Sequence, residues 1–164
     1  MPPITAVLKQ ADIFYEFTDM QLDLVASICE VKEYETGDLV FAENTIGDEL
    51  YVIADGEVDI QVDPNLVGKG ASEGMQTIAT LRRGQSFGEV ALVDEGLRSA
   101  SARCTQHSTR LVIIPRKRLM LLCDTDPRLG YRLMRNLAAD LAMKIRSTDL
   151  QMREQLTWTP PPTS

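Results

Sequence analysis

The stretch Ser86-Phe87-Gly88-Glu89-Val90-Ala91-Leu92-Val93-Asp94-Glu95-Gly96-Leu97-Arg98-Ser99-Ala100 gathers three kinds of group that together hold anions and sugars. Phe87-Gly88-Glu89 followed by the apolar Val90, Ala91 and Leu92 predicts one helical turn, whose first amides face outward as an anion site. After Gly96 the chain presents Arg98, whose planar fork holds two phosphate oxygens at once. Glu89 supplies a carboxylate that only accepts hydrogen bonds, which suits a sugar hydroxyl. Amides, guanidinium and carboxylate on one short cassette fit a ligand with a phosphate beside a ribose. Losing the Arg98 fork is worth about 3 kcal/mol, roughly a hundredfold in affinity. Arg98→Ala is therefore expected to abolish ligand-induced stabilisation and to leave the ligand-free fold intact. Without their flanks, Glu89 and Arg98 would read as a surface ion pair worth about 0–1 kcal/mol. The Phe-Gly before Glu89 and the Ser-Ala after Arg98 favour binding.

These groups need a rigid frame. From Val31 to Pro115 the chain is rich in Val, Ile, Tyr and Thr and is punctuated by Gly37, Gly47, Gly56, Gly84, Gly88 and Gly96. Short strands separated by such turns predict a sandwich or barrel rather than βαβ units. Residues 50–54 and 57–62 flank Asp55-Gly56, which predicts a hairpin through a type I′ turn. Val58, Ile60 and Val62 alternate with Glu57, Asp59 and Gln61, so one face is expected buried and the other wet. Residues 63–74 read as a long exposed loop leading to a strand at 76–81, with further strands at 99–105 and 109–114. Helical spacing at Leu22, Val25, Ala26 and Cys29 places one or two short helices before residue 30. A helix at 116–123 follows the strands. Asp126-Pro127 then caps a last helix that can run to about Trp158, roughly 45 Å. Met134, Ala138, Leu141, Ile145, Thr148, Met152 and Gln155 fall at steps of four and three, a heptad seam. The first half of such a helix can lie on the β-domain, and its second half is expected to self-associate.

The chain's 164 residues suffice for one hydrophobic core, and 44% hydrophobic with 25% charged residues excludes a disordered chain. A net charge of −7 argues against broad attraction to nucleic acid or anionic membrane. No apolar run approaches the ~20 residues of a membrane-spanning helix. Cys29, Cys104 and Cys123 are odd in number and widely spaced, so they read as small hydrophobes in a reducing compartment. His107 is the only histidine, too few for an imidazole-held metal of the cupin kind, and it reads as a loop residue. Gly68-Lys69-Gly70-Ala71-Ser72 lacks the first glycine of a P-loop, since position 63 is Asp, and reads as a flexible loop. Arg116-Lys117-Arg118 opens an amphipathic helix in an acidic protein and reads as a solvated face.

Phe87-Gly88-Glu89-Val90-Ala91-Leu92, with Arg98-Ser99-Ala100 nine residues after the glutamate, resembles the phosphate-binding cassette of cyclic nucleotide-binding domains. That superfamily includes the bacterial catabolite activator, the regulatory subunits of cyclic-AMP-dependent kinase and cyclic-nucleotide-gated channels. Gly37, Gly47-Asp48-Glu49-Leu50-Tyr51-Val52-Ile53 and Gly56-Glu57-Val58 resemble its glycine-punctuated β-roll, and the likeness runs from about Ile13 to the long helix. The resemblance implies that Glu89 accepts from the ribose 2′-hydroxyl while Gly88 lets backbone approach the ligand. It implies that Arg98 pairs with the cyclic phosphate, assisted by amides around Ala91 and Ser99, with Phe87, Val90 and Ala100 completing the site. The resemblance further implies that Ser99, where the family's threonine goes with cyclic GMP and its alanine or serine with cyclic AMP, leans toward cyclic AMP. The Thr-Ser pair that contacts adenine in the bacterial activator falls here on Lys144-Ile145, with Ser147-Thr148 one turn on. Lys144, Ile145 and Thr148 are therefore the candidate base contacts. Trp158 is a candidate aromatic cap on the base, or it packs on the helix end.

Together these readings predict a mainly β fold, a double-stranded antiparallel β-roll with N-terminal helices and a long C-terminal helix. Residues 1–126 form the nucleotide-binding roll, 127–158 the lid and dimerisation helix, and 159–164 a disordered tail. The expected function is a stand-alone, cytoplasmic, non-enzymatic sensor of cyclic AMP (or cyclic GMP), without a metal or a DNA-binding domain. It is expected to be a homodimer that signals to an unknown protein effector, with no nucleic-acid or membrane partner. A degenerate roll acting as an interaction scaffold, or the regulatory domain of a larger transcription factor, kinase or channel, stands as the alternative.

Overall fold

Tyr51 and Ile53 alternate with Leu50, Val52 and Ala54 along one strand, and all five are buried. A strand with apolar side chains on both faces needs a covering layer on each side. In this computed structural model, which describes residues 2–64, 74–94 and 96–157, that strand is β3 (Glu49–Asp55). It belongs to an antiparallel sheet in the order β1 (Glu30–Tyr34), β8 (Thr109–Pro115), β3, β6 (Ser86–Phe87). A second antiparallel sheet runs β2 (Leu39–Phe41), β7 (Ser101–Cys104), β4 (Glu57–Val62), β5 (Gln76–Arg82). Tyr51 and Ile53, with Leu111 and Ile113 of β8, share a core with Val58, Ala102 and Cys104 of the second sheet. Leu50, Val52, Val112 and Ile114 share the other core with the helices. The β-roll with N-terminal helices and a long C-terminal helix, expected from the sequence, is the architecture found.

The Asp55-Gly56 step departs from expectation. β3 and β4 do not pair as a hairpin; β3 pairs with β8 and β6, and β4 with β5 and β7. The dipeptide is instead a corner at which the chain crosses from one sheet to the other. Only Gly56 takes a positive φ, 94°, while Asp55 ends β3 and its carboxylate accepts the Gly56 N–H at 3.0 Å. A type I′ turn would need both residues left-handed. Continuous burial along β3 rules out a two-stranded ribbon with one wet face. In β4 only Val58 is fully buried and its neighbours are half-buried, so the alternation read there is blurred.

The helices form a layer on the β3–β8 face. α1 (Ile4–Gln10) contributes Val7 and Leu8, and α2 (Asp19–Ala26) contributes Leu22 and Val25. Thr18 and Gln21 exchange reciprocal side-chain-to-backbone bonds at 3.1 and 3.0 Å, a capping box that starts α2. α3 (Arg116–Thr125) buries Leu119 and leads into α4 (Pro127–Thr157), where Asp126 Oδ1 accepts from the Leu129 amide. Leu129, Leu133 and Leu137 are buried at steps of four. Asn136 Nδ2 donates to the carbonyls of Ile13 (2.9 Å) and Tyr15 (2.8 Å), fastening α4 to the N-terminal segment.

The first half of α4 thus lies on the β-domain. Of the heptad positions, Met134 and Leu141 pack against the core, whereas Ala138, Ile145, Thr148, Met152 and Gln155 are exposed. From Ala142 to Leu156 every side chain is exposed. The expectations placed on residues 65–73, Glu95, Trp158 and residues 159–164 lie outside the described residues.

Candidate functional site

Gly88 follows β6 with φ 81°, a left-handed turn that any larger residue resists. A Cβ there would also lie 2.8 Å from Arg98 Nη1. The turn swings residues 89–92 into one 3-10 turn, closed by the Ala91 amide on the Gly88 carbonyl at 3.2 Å. Because its N–H is engaged in that bond, Ala91 differs from the free donor expected of it. The turn carries Glu89 inward until it is only 5% exposed, with Oε1 accepting from Ser86 Oγ at 2.8 Å.

Arg98 arrives from the other side. It follows the lone bridge Leu97–Ile46, and its amide donates to the Thr45 carbonyl at 2.7 Å. Its side chain is buried at 8% exposure, with Nη2 donating to the Glu49 carbonyl at 2.7 Å and Nη1 reaching the Gly88 carbonyl at 3.4 Å. The guanidinium carbon stands 4.1 Å above the Phe41 ring, within cation–π range. Gly47 presses against the guanidinium so closely that a Cβ would meet Nε at 2.5 Å. No carboxylate pairs with Arg98 among the described residues, and its Nε is buried without a hydrogen-bond partner. Arg98 is thus an oriented cation with no compensating carboxylate among the described residues, and the surface-ion-pair reading with Glu89 fails. Its bonds to two carbonyls also mean that Arg98→Ala touches the ligand-free fold, contrary to expectation.

Between these groups opens a cavity of about 650 Å³. Residues 87–91 and 98–100 of the cassette all line it, with Ile60, Ala79 and Leu81 forming an apolar wall. From α4, Asp140 and Lys144 reach its rim. Lys144 Nζ stands 3.0 Å from Asp140 Oδ2 and 3.8 Å from Glu89 Oε1. Burial pulls the Lys144 ammonium down, but Glu89 and Asp140 together outweigh it and raise its pKa above the ordinary lysine value. Burial, then the hydrogen bond to Glu49 Oε2 at 2.8 Å, pushes the Tyr51 hydroxyl well above the usual tyrosine range.

Two of the three candidate base contacts do not reach the cavity. Ile145 is 61% exposed and absent from the lining, because one residue's step turns it about 100° away from Lys144. Thr148 lies one turn further out, exposed, with its hydroxyl donating to the Lys144 carbonyl at 2.9 Å. Phe41, Gly47 and Asp140 were missed. Asp140 carried a signal, since it sits four residues before Lys144 on the same helix face. His107 is exposed in a loop with Nδ1 2.9 Å from Glu35, and Arg116 is half-buried, with Nε donating to the Leu92 carbonyl, rather than fully solvated. Among the described residues no three His, Cys, Asp or Glu side chains gather to hold a metal ion, and no helix is long and apolar enough to cross a membrane.

Residues 31–126 match the sequence model of the family described as the cyclic nucleotide-binding domain, more than half of the chain. The chain belongs to that family. It is 32% identical over 145 residues to the cyclic AMP receptor protein of Thermus thermophilus, covering 88% of this chain and 62% of that protein. It is 30% identical over 106 residues to the cAMP-dependent protein kinase regulatory subunit of Schizosaccharomyces pombe, covering 65% of this chain and 23% of the relative. Among solved structures, the Thermus thermophilus catabolite activator protein superposes with a TM-score of 0.73 at 30% identity, over 88% of this chain and 62% of the other. The chain therefore spans less than two thirds of these relatives' length. The family match covers the strands and the cassette and stops before α4, so Asp140 and Lys144 lie beyond it.

Proposed function

We propose that this chain is the sensing unit of a regulatory protein, that its ligand is a cyclic nucleotide, and that cyclic AMP is preferred. The single observation that carries the reading is Arg98: a buried guanidinium whose Nε has no hydrogen-bond partner among the described residues, lining the same cavity as the buried carboxylate of Glu89. An uncompensated buried cation is held at a cost unless an anion completes it. In this reading Arg98 receives the cyclic phosphate, Glu89 accepts from the ribose 2′-hydroxyl, and the apolar wall at Ile60, Ala79 and Leu81 takes the purine. Asp140 supplies the acceptor that adenine's amino group asks for, in place of the hydroxyls absent at 144 and 145.

The preference for cyclic AMP rests on Ser99 and on relatives whose names carry that nucleotide. The chemistry is binding rather than catalysis. The roll is the receiving body and α4 the element that reports occupancy, with its exposed outer half available to a second copy or to an effector protein. Three unpaired thiols suit a reducing compartment such as the cytoplasm. A thermal-shift comparison of cyclic AMP, cyclic GMP and 5′-AMP tests the reading. Stabilisation by cyclic AMP above the other two is expected; no shift with either cyclic nucleotide would favour the scaffold alternative.

A further inference from the structure

The two oxygens of the Glu89 carboxylate are not equivalent. Oε1 accepts from Ser86 Oγ at 2.8 Å, and the Lys144 ammonium stands 3.8 Å from the same oxygen. Among the described residues no hydrogen bond reaches Oε2. A carboxylate accepts at both oxygens, so this buried acid keeps one acceptor for a donor that enters the cavity.

Ser86 is held where it is by the sheet. In β6 it pairs with Val52, and Phe87 pairs with Tyr51. Successive side chains of a strand point to opposite faces. Phe87 stacks on Tyr51 at 5.0 Å between the two sheets, and Ser86 therefore faces the other way. The Ile53 amide on the Gln85 carbonyl, at 3.0 Å, fixes the backbone just before it. The hydroxyl is thus placed by strand register, three residues ahead of the acid it touches and on the wall of the same cavity.

We propose that Ser86 is a positioning residue for sugar recognition: its hydroxyl occupies Glu89 Oε1, keeps the carboxylate from turning onto Lys144, and leaves Oε2 to a ribose 2′-hydroxyl. The proposal rests on the sensor reading above. It assigns the distinction between a ribose and a 2′-deoxyribose to Ser86 and Glu89 as a pair, and not to Glu89 alone. Without the serine hydroxyl, the donor left beside Oε1 is the Lys144 ammonium. A buried carboxylate that loses a partner moves toward the nearest remaining one. A ligand hydroxyl must then draw the acid back before it can bond, and part of its binding free energy is lost. A ligand without that hydroxyl makes no such bond and has nothing to lose.

The experiment is calorimetric titration of the full chain and its Ser86→Ala and Ser86→Thr variants with cyclic AMP and with 2′-deoxy cyclic AMP. Wild type is expected to prefer cyclic AMP. Ser86→Ala is expected to weaken cyclic AMP about three- to tenfold and to leave the 2′-deoxy ligand within about twofold, so the preference shrinks by nearly the whole loss. Threonine keeps the hydroxyl on a residue that suits a strand, and Ser86→Thr is expected to retain the preference. Equal weakening of both ligands in Ser86→Ala overturns the proposal, because a general disturbance of the site, or a direct contact elsewhere on the nucleotide, does not sense the 2′-hydroxyl. An undiminished preference in Ser86→Ala overturns it as well, and so does a loss in Ser86→Thr as large as that in Ser86→Ala. These outcomes leave the sensor reading standing, since wild type still binds. A wild type that binds no cyclic nucleotide overturns the sensor reading and this proposal together.

Discussion

Arg98→Ala separates the two duties that the structure gives this side chain. Without ligand, the substitution removes the bonds to the Glu49 and Gly88 carbonyls and the contact over Phe41. An orphaned carbonyl costs about 1–3 kcal/mol. Removing a buried cation that has no carboxylate partner among the described residues offsets part of that loss, so the variant is expected to fold with a modestly lower melting temperature. With ligand, the two charge-assisted bonds of the fork are worth about 3 kcal/mol, a hundredfold in Kd. At a cyclic AMP concentration about a hundred times the wild-type Kd, the wild-type fold gains about 2.7 kcal/mol, or roughly 5–11 °C for a chain of this size. At that concentration the variant sits near its own Kd and gains about 0.4 kcal/mol, roughly 1–2 °C. Differential scanning fluorimetry with each variant referred to its own ligand-free melt reads the two effects apart. Equal ligand shifts in Arg98→Ala and wild type would refute the assignment of the phosphate to this residue.

Other outcomes follow from the same geometry. Asp140→Ala is expected to weaken cyclic AMP about three- to tenfold and to leave unchanged the affinity for the purine analogue that lacks the amino group; equal loss for both in calorimetry would remove Asp140 from base reading. Asn136→Ala strips the clamp on the Ile13 and Tyr15 carbonyls and is expected to cost about 1–2 kcal/mol, measured as a lower urea midpoint at unchanged slope; an unmoved midpoint contradicts it. Burial pushes the Cys29 thiol from 9.0 up to about 12, so the folded state holds its proton more tightly than the unfolded chain. That contribution is complete below pH 9 and is lost as pH rises toward 12, at up to about 1.4 kcal/mol per unit. Urea unfolding between pH 8 and 10.5 is expected to show falling stability, with a shallower fall in Cys29→Ala; the same slope in both would contradict the assignment.

The cassette was legible because its chemistry is local. Phe87 to Ala91 and Arg98 to Ala100 are near neighbours along the chain, and the glycine between β6 and the turn announces its own backbone. What surrounds Arg98 was not legible, because Phe41, Gly47 and the Glu49 carbonyl reach it from about fifty residues upstream through pairing that no local pattern specifies. For the same reason Asp55-Gly56 was read as a hairpin. The dipeptide reports a tight reversal, while the choice between pairing the flanking strands and sending them to different sheets is made by distant β8, β5 and β7. On α4, spacing alone located a helix and its length. It did not fix which face meets the roll, and that face, set by Leu129, Leu133 and Leu137, carries Lys144 to the cavity and turns Ile145 away.

The central claim is that one small molecule is held at its two ends by Arg98 and Glu89. A crystal structure of the chain grown with cyclic AMP tests it most directly. The account predicts the cyclic phosphate within hydrogen-bonding distance of the Arg98 guanidinium, Nε included, and the ribose 2′-hydroxyl on Glu89. Nucleotide bound elsewhere, with the Arg98 Nε still unpartnered, would contradict it.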